Sequence, residues 1–269
     1  MHRHRNIKES GLTGSENDPG PLFQLFFLYN QKAWKEEDGT IDETKIEDLI
    51  TEHTVAIVPV HVYGNVCNVE EIQRIAEKYN LKVIYDAAHA FGVAYKGKGI
   101  GNYGDASIFS FHATKVFNTI EGGAVTFSDH KMYEKLYNLK NFGIRGEELV
   151  TSVGANAKMN EFCAIMGLCN LKHLDEALKN RQERYDYYRQ GLEKVKGISF
   201  FATNAEATNN FAYFPIIIED DYGITRDEIY DEFHESNIYA RKYFYPITAD
   251  QACFRNKYKN NKLDVARYI

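Results

Sequence analysis

Residues 81–127 read LKVIYDAAHAFGVAYKGKGIGNYGDASIFSFHATKVFNTIEGGAVTF. Three short apolar runs in it, Leu81–Tyr85, Ala106–Phe111 and Ala124–Phe127, are bounded by Gly, Asp or Asn, which is the pattern of buried strands. The polar residues gather where the runs end. Asp86 and His89 follow the first; Ser110, His112, Thr114 and Lys115 surround the end of the second. Ligands of an open α/β sheet bind in the crevice outside the carboxyl ends of its strands. A carboxylate, imidazoles, hydroxyls and an amine are therefore expected to face one crevice.

Upstream, Val55–Val60 reads as another buried strand, running into Pro59-Val60-His61-Val62-Tyr63-Gly64. Asn68 then caps a helix over Val69–Tyr79, with Val69, Ile72, Ile75, Ala76 and Tyr79 at helical spacing. Strand, helix and strand in succession make a βαβ unit, so these strands are predicted to run parallel. A short helix is predicted over Asp42–Ile50, capped by Asp42 or Thr40. Beyond Phe127, Ser128 or Asp129 caps a helix reaching Asn141. The segment Gly143–Asn156 reads as a loop containing Arg145. Asn160–Leu171 (NEFCAIMGLCNL) reads as an apolar helix with Gly167 at a tight packing point, and the highly charged Leu174–Val195 as a solvated connector helix. The remainder is predicted as strand Phe211–Ile218, helix Thr225–Ser236 and strand Ile238–Ala240, leading into Arg241-Lys242-Tyr243-Phe244-Tyr245-Pro246. No internal repeat or low-complexity tract is present.

Composition bounds the function classes. Apolar residues make up 44% and charged residues 26% of 269, which calls for a globular core in one large or two modest domains. The net charge of −6 argues against a general nucleic-acid binder, so an anionic substrate must meet local basic residues. Cys67, Cys163, Cys169 and Cys253 form no CxxC pair and no metal-ligand spacing; free thiols in a cytoplasmic chain, with no metal, are the expectation. No apolar run approaches the ~18–20 residues of a membrane span, and Leu22–Tyr29 is short. His2-Arg3-His4-Arg5 is separated from that run by acidic and Gly/Pro-rich residues, so no targeting segment and no membrane association are read.

The polar set suits pyridoxal phosphate. That cofactor needs an amine for a Schiff base, a carboxylate to keep its ring nitrogen protonated, and hydroxyls or backbone N–H groups for its phosphate. Taken singly, a lysine usually solvates a surface and an aspartate after a strand usually turns or caps the chain. Jointly, Asp86-Ala87-Ala88-His89, Ser110-Phe111-His112-Ala113-Thr114-Lys115 and Glu121-Gly122-Gly123 resemble the DegT/StrS nucleotide-sugar aminotransferases, fold-type I pyridoxal phosphate enzymes. The resemblance runs from about Glu36 to the end of the chain.

The resemblance implies an α/β fold: a three-layer α/β/α, PLP-transferase-like large domain, partly present in residues 36–173, and a smaller α+β C-terminal domain. Residues 174–269 then hold the connector helix and part of that small domain, and residues 1–35 stay unplaced. It implies that Lys115 is the Schiff-base lysine and Asp86 the partner of the pyridinium nitrogen. His89 stands where the family has Gln or His facing the ring and its phenolic oxygen, and Ser110 where the family binds phosphate. Asn156, in Gly154-Ala155-Asn156-Ala157-Lys158, matches a family asparagine that reaches the phosphate of the neighbouring subunit, which implies a homodimer. The family has Gly-Tyr-Asn there, so the missing Tyr is a departure on the substrate side. Lys158, Arg241 and Tyr243 are candidates for a nucleotide diphosphate.

The implied reaction moves an amino group from an amino acid, glutamate in this reading, to a keto-deoxy-sugar nucleotide for surface-polysaccharide synthesis. Asn237–Phe254 and His112–Ala124 look most like the branch of the family that makes dTDP-4-amino-4,6-dideoxyglucose. The related sugar dehydratases carry His in place of the lysine, and Lys115 speaks against them. In residues 1–35 neither the family's Gly-Thr phosphate loop nor its ring-stacking aromatic is found, and the chain stops where the family continues. The expectation is a chain cut at both ends, and a catalytically inactive remnant remains the alternative.

Overall fold

The computed structural model describes residues 37–254. The readings for residues 1–35, the Leu22–Tyr29 run and the end of the chain at Ile269 lie outside the described residues. The centre is a four-stranded sheet: β1 (Ala56–Ile57), β2 (Lys82–Asp86), β3 (Ala106–Ser110) and β4 (Gly123–Phe127), in that spatial order. β1, β2 and β3 are parallel; β4 returns antiparallel along β3. The protein is thus an α/β fold, built on the strands read from residues 81–127.

The first crossover helix, α1 (Val69–Tyr79), has the predicted bounds. The Asn68 side chain accepts from the Glu71 N–H at its start, and Asn80 ends it in the left-handed region at φ 52°. Its buried stripe Val69, Ile72, Ile75 and Ala76 packs on the alternating β2 residues Val83 and Tyr85, with Ile46, Ile57, Val66 and Ile100 completing the core. Because strand side chains alternate in direction, Val83 and Tyr85 occupy the α1 face while Ile84 and Asp86 occupy the other. The register aligns Asp86 with Ile108, so Asp86, Ile108 and Ser110 share that second face.

Further along, α2 (Met132–Lys140) follows the sheet, α3 (Glu161–Leu171) is capped by the Asn160 side chain on the Cys163 N–H, and α4 (Leu174–Leu192) is long and polar. α5 (Arg226–Glu235) starts in a full capping box between Thr225 and Glu228. All four cysteines are free; Cys67 and Cys163 are buried.

Several readings change. Asp42–Ile50 forms two 3₁₀ turns, Glu43–Lys45 and Glu47–Leu49, because so short a segment closes i→i+3 bonds before an α-helix nucleates. The strand predicted over Val55–Val60 shrinks to Ala56–Ile57 plus a lone bridge between Val60 and Asp86. The strand predicted over Phe211–Ile218 survives only as Ile217–Ile218, paired with Ile198–Ser199. Phe211 sits at φ 52°, and Pro215 has no N–H to give a ladder. Ile238–Ala240 forms no strand; Asn237 turns the chain at φ 59° and Tyr239 is left 74% exposed. The helix after Phe127 begins at Met132, later than predicted. Asp129 accepts from the Lys131 N–H in a turn that precedes it.

Candidate active site

Asp86 is the last residue of β2 and is half-buried; its Oδ1 accepts from the Ala88 N–H at 3.0 Å. Ala88 and His89 follow in the turn that leaves the strand. The neighbouring chain end is fixed against Asp86 by backbone bonds: His61 N–H to Asp86 O at 3.0 Å and Asp86 N–H to Pro59 O at 2.9 Å. Two consecutive parallel strand ends are therefore locked side by side, with the turn Val62–Gly64 leaning over the His89 position.

Lys115 lies on the loop between β3 and β4. The neck of that loop is tied by Phe111 N–H to Gly122 O and Thr119 N–H to Phe111 O, each 2.9 Å. Below it Phe117 stacks on Phe91 at 4.5 Å and meets Phe111 edge-on at 4.8 Å. From α3, the Asn170 side-chain N–H donates to Asn118 O at 2.8 Å, and Gly167 lies so close that an added Cβ would sit 2.7 Å from Thr119 Cγ2. Gly122 turns the chain at φ 152°, a conformation side chains rarely adopt. The Lys115 loop is thus held from two sides by packing.

The electrostatics join these residues. Partial burial moves the Lys115 amine below its ordinary value, while the Asp86 carboxylate pulls the other way. Burial, reinforced by the Lys115 charge, pushes His89 down to about 4. The Lys115 amine thus lies within reach of the Asp86 charge, and His89 within reach of the Lys115 charge. Ser110 ends β3 on the Asp86 face, and its hydroxyl lies 3.4 Å from the His112 N–H.

His112 Nδ1 pairs with the Thr114 hydroxyl at 2.9 Å in an exposed turn. Asn156 lies on an exposed loop bridged to Asn141, and its side-chain oxygen accepts from Lys158 Nζ at 3.2 Å. Arg241 approaches the Tyr243 hydroxyl at 3.5 Å.

Residues outside the motif also build the site. His89 Nδ1 accepts from the Tyr63 N–H at 3.0 Å, and its ring meets Tyr213 at 4.6 Å and Phe244 at 5.9 Å. The Asn210 amide donates to the carbonyls of His89 and Phe91 at 2.8 and 2.9 Å. The position of Tyr63 at a strand end was a signal for its role. Nothing local to Asn210, Tyr213 or Phe244 points to a contact more than a hundred residues away.

An amine held toward neutrality beside a carboxylate, with an imidazole and a strand-end hydroxyl, fits the needs of pyridoxal phosphate. Among the described residues no helix is long and apolar enough to cross a membrane.

Known proteins share both sequence and fold. A dTDP-4-amino-4,6-dideoxy-D-glucose transaminase of Shigella dysenteriae is 47% identical over 212 residues, 79% of this chain and 58% of that protein. The protein of the same description from Escherichia coli is 44% identical over 224 residues, 82% of this chain and 60% of its own length. This chain therefore spans about three fifths of the length of these curated relatives. Among solved structures, Helicobacter pylori PseC, an aminotransferase involved in the biosynthesis of pseudoaminic acid, matches with a TM-score of 0.82 at 29% identity, covering 88% of this chain and 64% of that one. DesI, solved in the presence of its TDP-sugar product, matches with a TM-score of 0.80 at 30% identity, covering 88% and 60%. With the family model matching residues 34–269, the chain belongs to the DegT/DnrJ/EryC1/StrS aminotransferase family.

Proposed function

We propose that this chain carries the cofactor-anchoring part of a pyridoxal-phosphate-dependent aminotransferase. It would move an amino group from an amino acid, glutamate in the sequence reading, to a keto-deoxy sugar borne on a nucleotide, for surface-polysaccharide synthesis. The carrying observation is the placement of the half-buried Lys115 on the packed loop beyond β3, next to the parallel strand end that bears Asp86 and leads into His89. Family membership and the relatives that aminate dTDP- and UDP-linked sugars support it.

Bound pyridoxal phosphate supplies the electron sink that stabilises charge at the carbon giving up its proton. The rest is the work of this chain. Lys115 would hold the cofactor through its amine, and the same amine, moved toward its neutral form by partial burial, would be the group that takes up and gives back a proton. Asp86, at the end of β2, would be the carboxylate that partners the cofactor's ring nitrogen. Ser110 would offer a hydroxyl to the phosphate, and His89 would front the ring. Asn156, on its exposed loop, serves the site of a second subunit, which makes the working form a homodimer. In this reading residues 36–173 form the large domain and 174–269 the connector and small domain, in a cytoplasmic enzyme.

The test is covalent trapping. The purified chain is mixed with pyridoxal phosphate, reduced with borohydride and mapped by mass spectrometry. The expected result is one dominant adduct on Lys115 that is lost in Lys115→Ala. Adducts spread evenly over surface lysines, or none at all, would be the behaviour of an inactive remnant and would overturn the proposal.

A further inference from the structure

His89 is held by residues that its own motif does not contain. The Tyr63 backbone N–H donates to His89 Nδ1 at 3.0 Å. A backbone amide has only a proton to give, so Nδ1 must present a lone pair. Tyr63 reaches this pose by adopting φ 56° and ψ 6°, a left-handed backbone uncommon for a bulky residue. Its side chain is buried and braced by Phe201 at 5.5 Å, Tyr213 at 5.6 Å and Phe244 at 5.9 Å, and its hydroxyl donates to Tyr243 O at 3.3 Å.

On the other side, Asn210 is 1% exposed and spends both amide hydrogens on the carbonyls of His89 and Phe91, while its Oδ1 accepts from the Ala212 N–H at 3.1 Å. The ring meets a tilted Tyr213 at 4.6 Å and a nearly parallel Phe244 at 5.9 Å, 7° between planes. Backbone, ring nitrogen and ring are all held by contacts, and Nε2 has no hydrogen-bond partner among the described residues.

We infer that His89 stands in the cleft as a neutral imidazole protonated on Nε2 alone, able to donate a hydrogen bond but not to accept a proton at Nδ1, with Tyr63 and Asn210 as its positioning residues. The inference rests on the reading of the cleft as a pyridoxal phosphate site and adds what His89 does there. A fixed N–H donor selects for an acceptor oxygen bearing negative charge, such as the cofactor's phenolate, and excludes His89 as the base that moves the proton. Doubly protonated His89 would have to break the Tyr63 bond and would stand beside the Lys115 charge. The low position of its titration, near 4, agrees with that geometry.

The experiment is long-range ¹H–¹⁵N correlation at pH 7 on the full chain with ¹⁵N in its histidine rings. The chain has nine histidines, so the His89 pattern is identified by its loss in His89→Gln. Should that variant fail to fold, Phe244→Leu identifies it through the lost ring-current shift. The expected pattern is a single tautomer with Nδ1 bare and Nε2 protonated. An Nδ1-protonated ring, an averaged mixture or an imidazolium would overturn the inference.

Asn210→Asp keeps the acceptor for Ala212 but cannot donate to His89. It should turn the His89 pattern into a mixture while the other histidines keep theirs; an unchanged single tautomer would remove Asn210 from the role. Added pyridoxal phosphate should shift the Nε2 signal where added inorganic phosphate does not. No shift in a sample whose Lys115 traps the cofactor would overturn the inference, whereas a sample without trapping but with the single tautomer counts against the proposed function alone.

Discussion

Replacing Gly167 with Ala tests whether α3 holds the Lys115 loop. In an open helix position the change would stabilise, since glycine costs about 1 kcal/mol relative to alanine. Here the new methyl would sit 2.7 Å from Thr119 Cγ2 and 3.6 Å from Phe117 Cζ. Thr119 is 2% exposed and has little room to yield. Its N–H is bonded to Phe111 O at 2.9 Å and its hydroxyl to Glu121 O at 2.7 Å. Overpacking a tight site costs roughly 1–3 kcal/mol, so after the helix-propensity gain the net effect is a destabilisation of up to about 2 kcal/mol.

Thr119→Ser removes the opposing methyl and keeps the hydroxyl, at about 1 kcal/mol for the lost burial. In the double variant the two changes accommodate each other, so urea unfolding followed by far-UV circular dichroism should show a coupling of at least about 1 kcal/mol. Gly167→Ala alone should also reduce trapping at Lys115, because the displaced Thr119 is part of the loop neck. A Gly167→Ala chain more stable than the parent by about 1 kcal/mol, with no coupling to Thr119→Ser, would refute the contact and its role.

Other consequences are accessible to the same measurements. His61 is fully buried and pushed down to about 3 by burial, and His89 to about 4, both from an ordinary 6.5. The unfolded chain binds these protons first. Their contribution to stability is therefore complete above pH 6.5 and falls as the pH drops, by about 2 kcal/mol per ring at pH 5. Urea midpoints at pH 7 and 5 check this, and His61→Phe should flatten the slope; an unaltered slope would remove His61 as a cause. At α5, Thr225→Ala deletes a cap that accepts from the Glu228 N–H at 3.2 Å, and should lower stability by about 1 kcal/mol; an effect within error would mean that the box contributes nothing net.

The candidate site could be proposed from the sequence because its residues lie in one contiguous stretch. Asp86 and Ser110 end strands whose apolar runs mark them, Lys115 lies in the loop beyond the second, and adjacent parallel strands carry their C-terminal ends to the same edge. Helices with an end signal, α1 with Asn68 and its apolar stripe and α5 with Thr225, appeared within a residue of the reading. The predicted strands at Phe211–Ile218 and Ile238–Ala240 failed for the opposite reason. Apolar and β-branched content favours extension, but a strand exists only if a partner accepts its ladder.

Local sequence by itself determined the α/β class, the strand ends that bear the amine and the carboxylate, and the capped helices, because these depend on periodicity and on groups a few residues apart. Tertiary structure alone decided the state of the imidazole. The tautomer of His89 is set by a backbone N–H twenty-six residues upstream, and its backbone by an amide one hundred and twenty-one residues downstream. The same holds for Lys115: partial burial and the Asp86 charge arise only after the chain has folded, and no spacing along the sequence encodes them.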